Sequence, residues 1–331
     1  MSLTALDFEE IKQLAARYAQ ALDFGDPEGF AACFAPEGVL TVEGTTYEGT
    51  QLKSYAAETS ASWAGHFRHT VAVSPLIDGD GDAARMLSYG CFTRDYGSPV
   101  GVNQITRSGL ILSGVYEDIL VQIDGTWRIA SRTFHRDGTP EVLRRVARPL
   151  EIAPVDAGPV SESGLTPLDY EAIRQLTTRY GYTLDFSDAD GFVDCFTPDG
   201  YFEIKTLGDP DFGGESRTEG SAQLREMVGW LAPRVKGHVR HGVMNAVIEG
   251  SGERAFVSSY GFFTTDHGEK PRDTEPDNFM METTGIYRDE VVKQDGYWRF
   301  SGRTFRYDGW PDVTGLLGKP LSLDLFRFET A

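Results

Sequence analysis

The sequence predicts an α+β protein built from two tandem copies of one domain, each a curved antiparallel sheet with N-terminal helices packed on it. Three observations carry this. Val121–Gly138 (VQIDGTWRIASRTFHRDG) and Val292–Gly309 (VKQDGYWRFSGRTFRYDG) are identical at 10 of 18 positions without a gap, which is duplication. Helical apolar spacing opens each copy and long strand-like runs close it. The 331 residues suit two domains at roughly 100–200 residues each. The copies are bounded as residues 1–150 and 167–331. The linker at 151–166 contains Ala153–Thr166 (APVDAGPVSESGLT), rich in Pro, Gly and Ser.

The first helix begins at LTALD in copy one and at LTPLD in copy two. Thr4 and Thr166 suit the cap, Pro167 suits the first helical position, and Asp7 and Asp169 stand three residues after the caps, as in a capping-box variant. Ile11, Leu14, Tyr18 and Leu22 recur at helical spacing, matched by Ile173, Leu176, Tyr180 and Leu184. Each helix runs out at YAQALDF (Tyr18–Phe24) or YGYTLDF (Tyr180–Phe186). Asp23 and Asp185 follow the last apolar position, about 100° round the helix, at the edge of the covered space.

A second short helix is expected over Pro27–Phe34 and Ala189–Phe196, stopped by Pro36 to Gly38 and Pro198 to Gly200. Strands are expected at Val39–Val42, Phe67–Val73, Ala84–Thr93, Ser108–Ile123 and Trp127–Phe134, with turns at Asp78–Asp82 and Ile123–Thr126. The offset between copies grows from 162 at the first helix to 171 at the last strand. The added residues fall largely in Thr206–Arg217, a Gly/Asp/Pro-rich loop expected to lengthen the rim of the second pocket.

Composition narrows the function. A net charge of −19 and a pI of about 4.7 repel phosphate backbones and anionic lipid, so neither nucleic acid nor membrane is an expected partner. No run of about 18 apolar residues exists to span a bilayer. The acidic start MSLTALDFEEIKQL is unlike a signal peptide, so a cytoplasmic location is expected. Cys33, Cys91 and Cys195 are odd in number and lack CxxC spacing. Cys33 and Cys195 hold equivalent places on the apolar side of the short helix and read as small buried hydrophobes.

Each copy places a His on a later extended segment, His69 in RHTV and His241 in RHGV. A free imidazole titrates near 6.5, so it takes and returns protons at neutral pH. A neighbouring carboxylate fixes its tautomer and favours the imidazolium. Asp23 with His69, and Asp185 with His241, therefore form candidate acid/base pairs. A capping Asp and an unrelated strand His is the other reading of each, and the recurrence favours the pair. Strand alternation puts His241, Val243 and Asn245 on one face, an amide beside the imidazole where it could hold a substrate oxygen. Copy one has one extra residue here and offers Val73 and Ser74; a bulge would bring Ser74 inward.

Tyr18 and Tyr180, five residues before each Asp, read either as substrate-binding phenols or as core aromatics with a polar tip. Tyr89 and Tyr260, in SYGCFT and SYGFFT, carry the same two readings. Arg132 and Arg303 suit an anion site or, preferably, a structural ion pair. His66 and His238 stand three residues before the proposed bases, on opposite strand faces, so no metal site is expected. His135 has Arg306 as its counterpart, which excludes a role common to both copies. No phosphate loop or dinucleotide fingerprint occurs.

The order of elements, the strings LDFGDPEGFAACF and LDFSDADGFVDCF, and the later RH strand resemble the nuclear transport factor 2-like superfamily. More narrowly they resemble its SnoaL-like branch, with scytalone dehydratase and the lindane dehydrochlorinase. The resemblance covers nearly the whole chain, once per half. It implies a cone-shaped barrel, a curved antiparallel sheet closed by helices around an apolar pocket, with no cofactor. In dehydratase-like members a helix-borne Asp orients a strand-borne His that removes a proton from substrate; here those positions are Asp23, His69, Asp185 and His241. The leading expectation is a cofactor-free lyase or isomerase, dehydratase-like, acting on a small apolar carbonyl or hydroxy compound, aromatic or polyketide-derived. The alternatives are SnoaL-like polyketide cyclisation, epoxide hydrolysis, a non-catalytic small-molecule-binding protein, and one working copy beside one structural copy. Relatives are commonly dimers or trimers, which makes a homo-oligomer, or a covalent pseudo-dimer that associates further, the expected assembly.

Overall fold

The computed structural model describes residues 2–62, 68–95, 108–139, 142, 144–145, 148–161, 164–205, 216–235, 239–266 and 279–307. The chain forms two compact units, one of Met1–Arg144 with Thr265–Met280 and one of Arg145–Thr264 with Met281–Ala331; unit 1 denotes the copy up to Arg144 and unit 2 the copy from Arg145. Unit 1 contains α1 (Ala5–Asp23), α2 (Pro27–Ala32), β1 (Phe34–Val42), β2 (Thr45–Glu48), α3 (Thr50–Ser62), β3 (Arg68–Asp80), β4 (Ala83–Asp95), β5 (Ser108–Ile123) and β6 (Thr126–Arg136). Unit 2 repeats the order with α4 (Pro167–Asp185), α5 (Ala189–Asp194), β7 (Phe196–Lys205), β8 (Ser216–Glu219), α6 (Gly220–Val235), β9 (Val239–Ser251), β10 (Arg254–Asp266), β11 (Phe279–Gln294) and β12 (Tyr297–Tyr307). The loop Thr206–Arg217 lies outside the described residues up to its last two positions.

Each unit is α+β, a six-stranded sheet in the order β2-β1-β6-β5-β4-β3, or β8-β7-β12-β11-β10-β9. Two details differ from expectation. The sheets are mixed, because β1 runs parallel to β6 and β7 parallel to β12, and neither closes into a barrel. No hairpin links these strands. The helices carry the chain over the sheet and deliver Phe34 beside Ile129, near the start of β6. The helices α3 and α6 and the short strands β2 and β8 were not legible. Among the described residues α3 buries only Leu52 and Ala56, too few for a visible apolar stripe.

The capping boxes do more than start α1 and α4. Thr4 and Asp7, and Thr166 and Asp169, exchange side-chain and backbone hydrogen bonds at the caps. The second carboxylate oxygen then receives the indole N–H of Trp127 (3.1 Å) or Trp298 (2.9 Å), anchoring each helix start to the final hairpin. Lys293 adds a buried ion pair to Asp169 at 2.7 Å. The segment between the copies packs on this hairpin: Ile152 and Ala157 are buried. The Ala157 amide donates to Gly296 O at 2.9 Å and Lys293 donates to Ala157 O at 3.0 Å. Gly296 takes φ +87°, and a Cβ there would meet an Asp156 carboxylate oxygen at 2.4 Å, so the close approach requires glycine.

Beneath the helices lies an aromatic core. Tyr18 packs with Phe30, Phe34 and Tyr116, and Tyr180 packs with Phe192, Phe196, Phe202, Tyr287 and Phe300. No helix among the described residues is long and apolar enough to cross a membrane.

Candidate active site

The helix α4 ends at Asp185, where the Phe186 amide closes the last turn on Tyr182 O at 3.0 Å. A carboxylate at this end faces the negative pole of the helix dipole, an unfavourable place without compensation. Compensation comes from β9. The main-chain N–H of His241 donates to Asp185 Oδ2 at 2.8 Å, and Nδ1 of the same histidine bonds Oδ1. Asp185 is fully buried, while the His241 side chain keeps 13% of its surface. The ring of Phe263 meets the imidazole edge-on, with centroids 4.3 Å apart.

Two features bring the pair together. Gly181, one turn before Asp185, lies so near β9 that a Cβ would meet His241 O at 2.9 Å. Ser187, just past the helix, takes φ +58° and turns the chain into α5. With Nδ1 engaged by carboxylate, the ring is held in one orientation and Nε2 is left as its proton acceptor. In unit 1, Asp23 ends α1 at the equivalent place and is partly buried. The backbone of His69 pairs with Thr93 in β3 and β4, but its side chain lies outside the described residues, as do those of His66 and His238. Ala19 stands where unit 2 has Gly181.

The proposed substrate-binding residues separate into two groups. Tyr18 and Tyr180 lie on the helix-covered face, buried, with the guanidinium of Arg132 or Arg303 over the ring at 4.0 and 4.1 Å. Burial pushes both phenols well above the usual tyrosine range, so they stay protonated and keep a hydrogen to donate. The hydroxyl of Tyr180 is buried without a hydrogen-bond partner among the described residues. Tyr260 points the other way. Its neighbour Gly261 faces Tyr287 and Phe305, so alternation puts Tyr260 on the opposite face, where it is 54% exposed. Tyr89 follows the same geometry: Gly90 faces Tyr116 and Phe134, and Tyr89 is buried on the opposite face. Tyr260 therefore lies off the face that Asp185 and His241 share, and Tyr89 lies off the face of Tyr116 and Phe134 in its own unit.

Asn245 is likewise displaced. It takes φ +56° and is exposed, a bulge conformation that asparagine tolerates, and the alternation from His241 through Val243 breaks there. Asn245 is exposed, whereas Val243 before it is buried. Ser74 has φ +53° in the matching bulge, between Val73 and Leu76, and is buried.

Arg132 forms a bidentate ion pair with Asp118, both contacts 2.7 Å and both side chains buried. Its counterpart Arg303 faces Asp289 at 3.4 Å. Sequence reasoning missed both aspartates, although Asp118 and Asp289 each follow a Tyr by two residues, in VYED and IYRD. It also missed Phe263 and Gly181. Cys33 and Cys195 are buried and donate to backbone oxygens of Gly29 and Gly191 at 3.3 Å. Burial raises both thiols, Cys195 to about 11, which leaves them inert. His135 approaches Glu117 at 3.3 Å. No cluster of three potential metal ligands occurs among the described residues.

Comparison with known proteins agrees with this architecture. The family model of the SnoaL-like domain matches twice, over residues 4–133 and 166–304. Similar solved structures include a Nostoc punctiforme protein of unknown function with a cystatin-like fold, 28% identical over 42% of this chain and 97% of its own, with a TM-score of 0.35. Rv3472 of Mycobacterium tuberculosis, also of unknown function, is 24% identical over 52% and 88%, with a TM-score of 0.35. A nuclear transport factor 2-like protein of Novosphingobium aromaticivorans is 18% identical over 45% and 88%, with a TM-score of 0.38. No curated protein gives a significant match. The chain belongs to the SnoaL-like domain family, which it carries in two tandem copies.

Proposed function

We propose that unit 2 is a cofactor-free acid/base enzyme, a lyase or isomerase of the dehydratase type, acting on a small, largely apolar carbonyl or hydroxy compound. The carrying observation is the buried Asp185 bonded to both the main-chain N–H and Nδ1 of His241. Such an arrangement orients a base, and a binding module has no need of it. In this reading Nε2 of His241 takes a carbon-bound proton and Asp185 stabilises the imidazolium that forms. The released electron pair becomes the new double bond. The proton then leaves with the departing hydroxyl as water, or returns to a different carbon in an isomerisation. The Tyr180 hydroxyl supplies a hydrogen-bond donor in a dry setting, where donors count for more than in water.

Carbon-acid exchange tests this without knowledge of the substrate. Incubation with a panel of cyclic ketones and hydroxyketones in D2O is expected to give catalysed deuterium uptake by wild type. His241→Ala should lower the rate about 10²–10⁴-fold, the usual contribution of a positioned acid or base. Uptake that survives His241→Ala and Asp185→Asn, in folded protein, contradicts the mechanism. Binding of the ketones with no exchange at all favours a carrier or sensor instead.

A further inference from the structure

Arg132–Asp118 and Arg303–Asp289 are the same cross-strand pair written twice, each Arg directly opposite its Asp in the register. Their geometry differs. In unit 1 the guanidinium grips the carboxylate through Nε and Nη2, each at 2.7 Å. In unit 2 the nearest approach is 3.4 Å. There none of Nε, Nη1 or Nη2 of Arg303, and neither oxygen of Asp289, has a hydrogen-bond partner among the described residues. Both side chains are fully buried.

The sequence difference beside the pair accounts for this. In unit 1 Arg132 lies over two rings, Tyr18 and Tyr116. In unit 2 Arg303 lies over three, Tyr180 at 4.1 Å, Tyr287 at 3.9 Å and Phe300 at 4.6 Å, because Phe300 replaces Ile129 of the first copy. The third aromatic face attracts the guanidinium away from the carboxylate.

Protein interiors leave few buried polar groups unpaired, and those they leave call for a partner. Here donors and acceptors face each other, and the Tyr180 hydroxyl is also unpaired. A neutral hydroxyl suits this setting: it accepts from the guanidinium and donates to the carboxylate without changing the charge of the pair. An anion would instead meet Asp289. We propose that Asp289 and Arg303 form a hydroxyl-anchoring subsite of unit 2, recognising a phenolic or alcoholic group on an aromatic ligand, and that the closed pair of unit 1 lacks this capacity. This deepens the reading of unit 2 as an acid/base site by naming the class of ligand, and it does not require His241 to act on that ligand. Burial pushes Asp289 up to about 7, so the group accepts a hydrogen bond as a carboxylate above that pH and carries a proton below it.

Calorimetric titration of the full chain with phenol and with toluene is the test, since the two probes differ only in the hydroxyl. Phenol should bind at one site per chain and about 10-fold or more tighter than toluene, as expected for a hydrogen bond to charged groups. The double change Asp289→Leu with Arg303→Met removes both charges together, which spares the fold the cost of an unpaired ion, and should make the two affinities equal. Phe300→Ile should let the pair close as in unit 1 and abolish the preference. His241→Ala should keep the preference while losing exchange activity, so the two proposals fail separately. Equal affinities in wild type, two phenol sites per chain, or a preference that survives the double change would each overturn the subsite. So would a crystal structure showing the unliganded Arg303 pair closed in bidentate contact.

Discussion

A carboxylate on the last residue of a helix opposes the helix dipole, yet both copies keep one there, at Asp23 and Asp185. In unit 2 the reason is local: Asp185 accepts the backbone N–H and Nδ1 of His241. Removing it relieves the dipole by a few tenths of a kcal/mol and leaves buried donors unpaired, which costs about 1–3 kcal/mol. Asp185→Ala is therefore expected to destabilise the protein on balance, measured as a shifted urea midpoint. Gly181→Ala places a methyl group 2.9 Å from His241 O. It should separate α4 from β9 at a cost of about 1–3 kcal/mol and reduce exchange activity, whereas Ala19→Gly in unit 1 should leave that activity intact. The meeting of Asp185 with His241 is foreshadowed by an Asp-terminated helix and a later RH segment in each copy. Asn245 and Tyr260 lie off the expected face for two different reasons: at Asn245 two-residue alternation fails, because it assigns a face only while the ladder is regular, and at Tyr260 it had no starting point. A bulge resets the count at Asn245, and no sequence signal said which face Tyr260 joins.

At the scale of elements, the capping box joins helix to sheet. Asp169 accepts from Thr166, Lys293 and Trp298 together. Burial alone would raise its carboxyl group, but hydrogen bonds from Lys293, Thr166 and Trp298 outweigh it and hold the group below its ordinary value. Asp169→Ala frays the start of α4 and leaves Lys293 buried without its carboxylate, so a loss of about 3–5 kcal/mol is expected in equilibrium unfolding. Asp7→Ala should cost less, about 1–2 kcal/mol, because unit 1 has Gln122 and Trp127 at this site and no buried lysine. The cap itself was plain in LTALD and LTPLD. Its link to the hairpin was not, since a sequence does not show that residues more than a hundred positions apart meet. The parallel pairing of β1 with β6 was hidden for the same reason: periodicity gives strands but not their neighbours.

Across the whole molecule, duplication fixed the architecture twice while the buried charges diverged. This has a pH signature. Asp7 and Asp169 are held below their ordinary value in the folded state. Their stabilisation is present above the unfolded carboxylate range near 4 and is lost as pH falls through their lower folded values. Asp289 is raised to about 7, so the folded state holds an extra proton between about 4 and 7, and stability from this group declines as pH rises through that window. Each such proton contributes a slope of at most about 1.4 kcal/mol per pH unit. Urea unfolding at several pH values from 4.5 to 8 should show the decline, and Asp289→Asn should flatten it.

The central claim is that Asp185 orients His241 as a base, and the tautomer of that ring tests it most directly. Long-range proton–nitrogen correlation NMR above the titration of the imidazole should find the proton on Nδ1 in wild type, with Nε2 carrying the lone pair. Asp185→Ala should release that preference toward the other tautomer or an exchanging mixture. A wild-type ring protonated on Nε2, unchanged by the loss of Asp185, would mean that the carboxylate does not orient the imidazole.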